Sequence, residues 1–342
     1  MLVLSRHAGE YCRLIEAACL PDLDVVSATH PSGLPASAST CDIVFGEPSL
    51  VAKALPVLPA VRWVQATWAG VEPLLDPALR RRAGQDYILT NARGVFGALM
   101  SEYVFGYMLA HERRILEKYD AQKERRWDSR PPGTLRGKRL GLLGVGTIGA
   151  ALARTAKHFG MAVRGYTRAS ESCDAVDEYF HSADRAGGHG RRSLNAFAAD
   201  LDYLVSVVPD TAATRALVDE QLLTALPPRA VFINPGRGSV VDEAALARAL
   251  SSGRLAAAVL DVLQTEPLPA DHVLWRTPNV MITSHTAALS APADIAPLFV
   301  TNYQRFVAGG PLIYCVDVEL GYYRGPERDH DCGRHAHARH GR

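Results

Sequence analysis

The sequence predicts an α/β protein of two doubly wound, parallel-sheet units, with the second inserted in the first. Three observations carry that prediction. Short apolar runs of strand length alternate with amphipathic helical stretches, which is the pattern of βαβ units. At 342 residues the chain exceeds the roughly 100–200 residues of a single domain. A break at Ser129-Arg130-Pro131-Pro132-Gly133 separates two such series, and the second opens on a glycine-rich turn between a strand and a helix.

In the first series Leu2-Val3-Leu4 reads as a buried strand and Tyr11 to Leu20 as an amphipathic helix. Strands follow at Leu23 to Val26, Ile43 to Phe45, Val61 to Val64 and Tyr87 to Thr90, with polar, Pro-rich punctuation from Pro31 to Thr40. A long helix is predicted from about Met100 to Arg125. The second series reads as strand Arg139 to Leu143, helix Ile148 to Phe159, strand Met161 to Tyr166 and strand Tyr203 to Val207. Helix Asp219 to Ala225, strand Ala230 to Ile233, helix Glu243 to Ser251, and strands Ala256 to Leu260 and Val280 to Thr283 complete it. An amphipathic segment from about Pro292 to Val307 returns the chain to the first unit. The expected division is 1–95 with 286–322 as a substrate domain and 96–285 as a dinucleotide-binding domain. Residues 323–342, rich in His and Arg, are expected to be a disordered tail, and Gly187 to Arg192 a poorly ordered patch.

Composition narrows the function. Hydrophobic residues make up 48% and charged residues 21%, ordinary globular usage that supports a packed core. A net charge of +1 lacks the basic footprint of a nucleic-acid binder. No apolar run approaches the ~20 residues that span a bilayer, so no membrane role is expected. Six cysteines lie far apart with no CxxC pair, which reads as reduced thiols in a cytoplasmic protein. The histidines of the tail match no metal-ligand spacing, and no metal is expected.

Gly144-Val145-Gly146-Thr147-Ile148-Gly149 fits GxGxxG, with an apolar strand before it and a helical pattern after it. In that context Gly144 allows the tight turn, Gly146 lets backbone approach a pyrophosphate, and Gly149 lets helix and strand pack closely. The phosphates then meet the unpaired N–H groups of Thr147 and Ile148 at the helix start. At the end of the next strand an NAD enzyme places Asp or Glu for the ribose hydroxyls. Here Tyr166-Thr167-Arg168 has no carboxylate before Glu171. Arg168 offers a planar, permanently charged fork to a 2′-phosphate, and Thr167 a hydroxyl. NADP(H) is therefore the favoured cofactor, with NAD(H) possible. Val208-Pro209 follows its strand on the adenosine side.

Polar groups end three later strands: Arg237 in Asn234-Pro235-Gly236-Arg237-Gly238, Asp261 and Glu266 beyond Leu260, and His285 in Thr283-Ser284-His285-Thr286. Ligands of such sheets sit at the carboxyl ends of strands. Reduction of a 2-keto acid needs anchorage for a carboxylate and a proton for the carbonyl oxygen. An arginine and a histidine supply these, and a glutamate beside the histidine favours the imidazolium.

At these residues the chain resembles the D-isomer-specific 2-hydroxyacid dehydrogenase family, and within it the glyoxylate/hydroxypyruvate reductase A type. The likeness runs from about Asp42 to Tyr322 and includes Trp63 to Val71, Thr90 to Gly94, Val316-Asp317 and Gly321-Tyr322. It implies a Rossmann-like dinucleotide domain inserted in a flavodoxin-like substrate domain. It also implies that Arg237, Glu266 and His285 are the catalytic Arg, Glu and His, with His285 also beside the cofactor. The N–H groups of Gly70 and Val71 are implied to bind the substrate carboxylate, and Asp261 to accept the nicotinamide carboxamide, a helix N-cap being the alternative. The segment 98–130 is implied to build a homodimer in which Trp127 is an interface anchor or reaches the partner's site. Phe45 is a candidate size filter, Glu47 a candidate pocket closure, and Thr214 a candidate helix cap. The expected partner is a small 2-keto or 2-hydroxy acid. Two further readings share these residues: a dinucleotide-sensing corepressor-like binding protein, and a phosphite dehydrogenase.

Overall fold

The computed structural model describes residues 1–76, 79, 87–182, 190–318, 321 and 323. The tail from Arg324, Tyr322 and Gly187 to His189 lie outside the described residues. The chain divides into two units, Met1–Val95 with Ser290–Arg342, and Phe96–Leu289.

The first unit starts with β1 (Leu2–Leu4), α1 (Ala8–Ala17), β2 (Val26–Ala28), β3 (Ile43–Gly46), α2 (Pro48–Ala54), β4 (Trp63–Ala66) and β5 (Ile88–Thr90). All strand pairs are parallel and the order is β2-β1-β3-β4-β5, the flavodoxin-like winding. Parallel pairing of Leu2 with Val26 sets β2 three residues beyond its predicted start. Strands with helices on both faces must be apolar throughout, and β1, β3 and β4 are fully buried. Phe45 is 0% exposed and packs between the rings of Tyr11 and Phe299. It is a core residue rather than a size filter. Glu47 is likewise buried, accepting from the Ser5 hydroxyl at 2.9 Å and the Arg6 N–H at 2.7 Å, which ties β3 to β1 rather than closing a pocket.

The second unit begins with α3 (Gly97–Glu112) and α4 (Ile115–Lys123). The single helix predicted here is broken, because Arg114 takes a left-handed backbone (φ 54°) that ends the helical run. There follow β6 (Arg139–Leu143), α5 (Thr147–His158), β7 (Ala162–Thr167), β8 (Glu178–His181), α6 (Gly190–Ala198) and β9 (Tyr203–Ser206). Then come α7 (Glu220–Ala225), β10 (Val231–Asn234), α8 (Glu243–Ser251), β11 (Ala257–Leu260) and β12 (Val280–Ile282). The seven parallel strands run β12-β11-β10-β9-β6-β7-β8. Counted from β6, that is the 3-2-1-4-5-6 dinucleotide-binding order with one strand added. The chain reverses its winding between β6 and β9, so a crevice opens at their carboxyl ends. Asp219 and Asp242 cap α7 and α8, each accepting an N–H at 2.9 Å. Thr214 caps no helix; its hydroxyl donates to the Pro209 carbonyl at 2.6 Å.

Helix α9 (Pro292–Val307) rejoins the first unit through a buried polar network. Asn302, 0% exposed, donates to Gln65 Oε1 (3.0 Å) and the Ile313 carbonyl (3.1 Å), and accepts the Ile313 N–H (2.8 Å). The Thr90 hydroxyl also donates to Gln65 (2.7 Å) and accepts the Trp63 indole N–H (2.8 Å). Trp63 is thereby fixed in the core, stacked on Phe299. Among the described residues no helix is long and apolar enough to cross a membrane. Cys12, Cys19, Cys41 and Cys173 are free thiols.

Candidate active site

The carboxyl ends of the seven strands gather most of the predicted site residues on one edge of the second unit. At the end of β6, Gly144 has φ +94°, which only glycine adopts without strain, and a Cβ there would lie 3.1 Å from Val208 Cγ1. A Cβ on Gly149 would run into the Gly144 carbonyl oxygen, so the helix start can nest against the turn only as glycine. Gly146 caps α5, and the first helical bond runs from the Ala150 N–H to its carbonyl at 2.8 Å. The N–H groups of Thr147, Ile148 and Gly149 thus have no partner within the helix, and Gly146 and Thr147 are exposed. This cradle fits the pyrophosphate of a dinucleotide.

At the end of β7 the Thr167 hydroxyl donates to the Ser170 carbonyl at 2.8 Å. The same hydroxyl oxygen lies 3.0 Å from His181 Nδ1. Arg168 follows on an exposed bend. Val208 and Pro209 stand at the end of β9, with Val208 against the glycine turn.

Arg237 follows β10 and its loop is tightly built. Asn234, 0% exposed, donates from Nδ2 to the Arg237 carbonyl at 2.9 Å and accepts the Gly236 N–H at 3.2 Å. The Arg237 Nη1 donates to the Gly236 carbonyl at 2.8 Å. A Cβ on Gly238 would collide with the Leu263 backbone, which is how the loops after β10 and β11 come to lie together.

His285 and Glu266 meet: His285 Nδ1 lies 2.8 Å from Glu266 Oε2. The other glutamate oxygen accepts the Leu263 N–H at 2.9 Å, which fixes the carboxylate. The imidazole is 59% exposed, so its Nε2 edge is reachable from solvent.

The histidine is held in a strained backbone. Ser284 and His285 both have left-handed φ values, 56° and 58°, a conformation that costs a non-glycine residue about 1–2 kcal/mol. Asp261 holds it. This carboxylate, 2% exposed, accepts the Thr283 hydroxyl (2.6 Å), the Thr286 N–H (2.8 Å) and the Ala287 N–H (2.9 Å), and its own carbonyl accepts the His285 N–H (2.6 Å). No helix follows Asp261, so it is not an N-cap; it clamps the histidine turn. A carboxylate has about four lone-pair sites, which leaves one for a ligand. Thr283 in turn meets the Tyr103 hydroxyl on α3 at 2.7 Å. Burial pushes that phenol above its ordinary value, and the Asp261 charge raises it further against the Thr283 bond, so Tyr103 stays a neutral partner. Sequence reading missed this chain. The hydroxyl-rich run Thr283-Ser284-His285-Thr286 was the available signal.

In the first unit, Gly70 and Val71 follow β4. Asn91 holds their loop, donating from Nδ2 to the Ala69 carbonyl at 2.7 Å, while the Ala92 N–H donates to the Trp68 carbonyl at 3.1 Å. Thr67 Oγ1 and Asn91 Oδ1 are buried beside this loop without a hydrogen-bond partner.

Comparison with known proteins gives the same picture. The family model of the D-isomer specific 2-hydroxyacid dehydrogenase, NAD binding domain, matches residues 105–287. A glyoxylate/hydroxypyruvate reductase A from Serratia proteamaculans is 35% identical over 223 residues, 65% of this chain and 68% of that protein. A D-isomer specific 2-hydroxyacid dehydrogenase family protein from Aeromonas salmonicida superposes with a TM-score of 0.85 at 40% identity, covering 93% of this chain and 98% of the other. A D-isomer specific 2-hydroxyacid dehydrogenase from Xanthobacter autotrophicus, solved with NADPH and MES, gives 0.82 at 33% identity over 94% and 99%.

The chain belongs to the D-isomer specific 2-hydroxyacid dehydrogenase family.

As a member of that family it is an NAD(P)-dependent dehydrogenase. The matched region contains the glycine turn, Arg168, Arg237, Asp261, Glu266 and His285, whereas Gly70 and Val71 lie outside it. The family's dinucleotide domain thus coincides with the strand ends described above.

Proposed function

We propose that this dehydrogenase reduces small 2-keto acids of the glyoxylate and hydroxypyruvate kind to D-2-hydroxy acids, with NADP(H) favoured and NAD(H) usable. The observation that carries the proposal is the 2.8 Å His285–Glu266 pair, whose residues follow β12 and β11, with Arg237 after the next strand, β10. The Serratia relative's name and the NADPH in the Xanthobacter structure support the substrate class and the cofactor.

Gly144, Gly146, Gly149 and the N–H groups of Thr147 and Ile148 would hold the pyrophosphate, Val208 and Pro209 the adenosine side, and Arg168 the 2′-phosphate. The free acceptor site of Asp261 would take the carboxamide. The reduced nicotinamide supplies a hydride for the keto carbon. Arg237 binds the substrate carboxylate and polarises the carbonyl; in the first unit the N–H groups of Gly70 and Val71 would be donors to a carboxylate. His285 gives its Nε2 proton to the carbonyl oxygen as the hydride arrives. Glu266 can only accept, so Nδ1 carries the hydrogen between them and the charged ring is paired. In the oxidative direction the neutral ring takes the alcohol proton at Nε2. Exposed Ile115, Leu116, Tyr119 and Trp127 (95% exposed) support a second copy packing on the 98–130 segment.

The test is a panel of glyoxylate, hydroxypyruvate, pyruvate, phenylpyruvate and phosphite with both cofactors. Glyoxylate or hydroxypyruvate should turn over best with NADPH. His285→Ala should remove most turnover while NADPH still binds, and Arg237→Ala should raise KM for the keto acid as well as lower kcat. Turnover of phosphite alone, or full activity in either variant, would refute the reading.

A further inference from the structure

The adenosine end of the sheet carries a histidine that sequence reading passed over. Strand β8 pairs with β7 so that His181 stands opposite Thr167 at the carboxyl end of both strands. Two residues earlier, a Cβ on Gly165 would lie 2.8 Å from Val145 Cγ2 and 3.1 Å from the Tyr179 ring. Side chains two apart share a face of a sheet, so Thr167 and His181 lie on the face that carries Val145, the residue inside the glycine turn. In this fold the ribose of the adenosine sits beyond the end of the second strand, here β7.

Hydrogen bonds fix the ring of His181. Its Nδ1 lies 3.0 Å from Thr167 Oγ1. Its Nε2 lies 2.7 Å from Glu171 Oε1, and a carboxylate only accepts, so Nε2 carries a hydrogen towards it. Its stacking on Tyr179, with centroids 6.2 Å apart, holds the plane. The groups facing it are Thr167 on β7, Glu171 in the loop after β7, and Tyr179 on its own strand.

We propose that His181 is a specificity-determining residue of the cofactor site: its Nε2–H is a second donor, beside Arg168, for the 2′-phosphate of NADP(H). Glu171 holds that donor until the phosphate takes its place. The glutamate is 61% exposed, and a contact this open contributes little and is readily exchanged. The phosphate, with a higher charge and three oxygens, is the stronger acceptor. An NAD(H) molecule brings no phosphate, so Glu171 keeps His181. The proposal rests on the NADP(H) preference stated above and adds a residue to it.

The experiment is calorimetric titration of the full chain with NADP+ and with NAD+, for wild type, His181→Gln and Glu171→Gln. Loss of this donor to a charged phosphate should weaken NADP+ roughly tenfold in His181→Gln, with NAD+ changed less than twofold. Glu171→Gln, at an exposed loop position, should tighten NADP+ several-fold and leave NAD+ unchanged or weaker. A wild-type preference for NADP+ that survives both substitutions overturns the His181 assignment alone. Equal losses for the two cofactors in His181→Gln also overturn it, because they mark a structural role. A wild type that binds NAD+ as tightly as NADP+ overturns the cofactor preference together with it, and keto-acid turnover in the panel above reads the substrate class separately.

Discussion

Asp261→Asn should uncouple the catalytic histidine from the sheet, because the strained turn at Ser284–His285 depends on one buried carboxylate. Two left-handed non-glycine residues cost about 2–4 kcal/mol together. Three hydrogen bonds to an ionised acceptor, each contributing roughly 1.5–3 kcal/mol, exceed that cost. Asparagine can keep an oxygen towards Thr283 and Thr286, but its NH2 group then faces the Ala287 N–H, donor against donor. One bond is lost, and the other two fall to about 1 kcal/mol each without the charge. The turn loses about 3–4 kcal/mol, enough to let it open, and the protection of the Thr286 and Ala287 amides should drop by two to three orders of magnitude. Hydrogen exchange at those amides reads the turn directly. Turnover of keto acid with NADPH should fall by about a hundredfold, since the proton donor is then rarely placed. Adding Ser284→Gly removes one of the left-handed penalties and should restore part of the protection, about fivefold. Protection within threefold of wild type in Asp261→Asn, or undiminished turnover, would refute the clamp.

Gly149→Ala forces a methyl group onto the Gly144 carbonyl, an overpacking cost of about 1–3 kcal/mol. It should weaken NADP+ binding at least tenfold in calorimetry, and unchanged affinity would show that the turn tolerates a side chain. Asn302→Ala leaves the half-buried Ile313 N–H and carbonyl without their partner, at up to about 1–3 kcal/mol per group, so urea denaturation should show a clear loss of stability at neutral pH. Stability should also fall in acid through Asp202. Burial pushes this carboxyl up, but the Arg139 N–H at 2.9 Å, the Arg229 bond at 2.8 Å and the nearby Lys138 charge outweigh burial and hold it below the ordinary range. A depressed folded value means that the contribution is present in full above the unfolded pKa of about 3.9 and is lost as pH falls through the folded value. Urea midpoints measured from pH 7 down to pH 3 should draw together for wild type and Asp202→Asn once the pH falls below about 3.9, and a constant gap between them would contradict the assignment.

Legibility followed burial. Strands β6, β9, β10 and β11 are central and almost wholly buried, so each shows as a continuous apolar run, and the glycine turn could be placed between strand and helix. Strand β8 is an edge, bonded on one side only, and its residues Glu178 to His181 are half-buried or exposed. It is held by Tyr179 and Phe180, which pack on the two cores, and by the Arg164–Glu178 pair at 2.8 Å, and a run of only two aromatics between charged and polar residues is a weak apolar signature. Helix α6 was hidden by its Gly-Arg-Arg start, although Leu194, Phe197 and Ala198 keep helical spacing and are buried. The break at Arg114 has neither Pro nor Gly to announce it. Arg237, Glu266 and His285 could be read because polar groups after apolar strands stand out. The roles of Asp261 and His181 depend on hydrogen bonds to residues 22 and 14 positions away, which no local pattern encodes.

The same contrast explains how the site divides its work. A histidine that must both give and take a proton needs an open Nε2 edge, and openness removes the packing that would otherwise hold its ring. The second unit supplies the missing rigidity from beneath. Asp261 is buried and fully engaged on the turn's backbone, while Glu266, itself pinned by the Leu263 N–H, orients the ring from the solvent side. Backbone placement and ring orientation thus come from two carboxylates in different environments. The buried one can be charged because three donors surround it, and the exposed one because water does. Exchanging their environments would fail on both counts: an exposed clamp would be too weak to hold two left-handed residues, and a buried partner would trap the imidazolium as a fixed ion pair that no longer releases its proton.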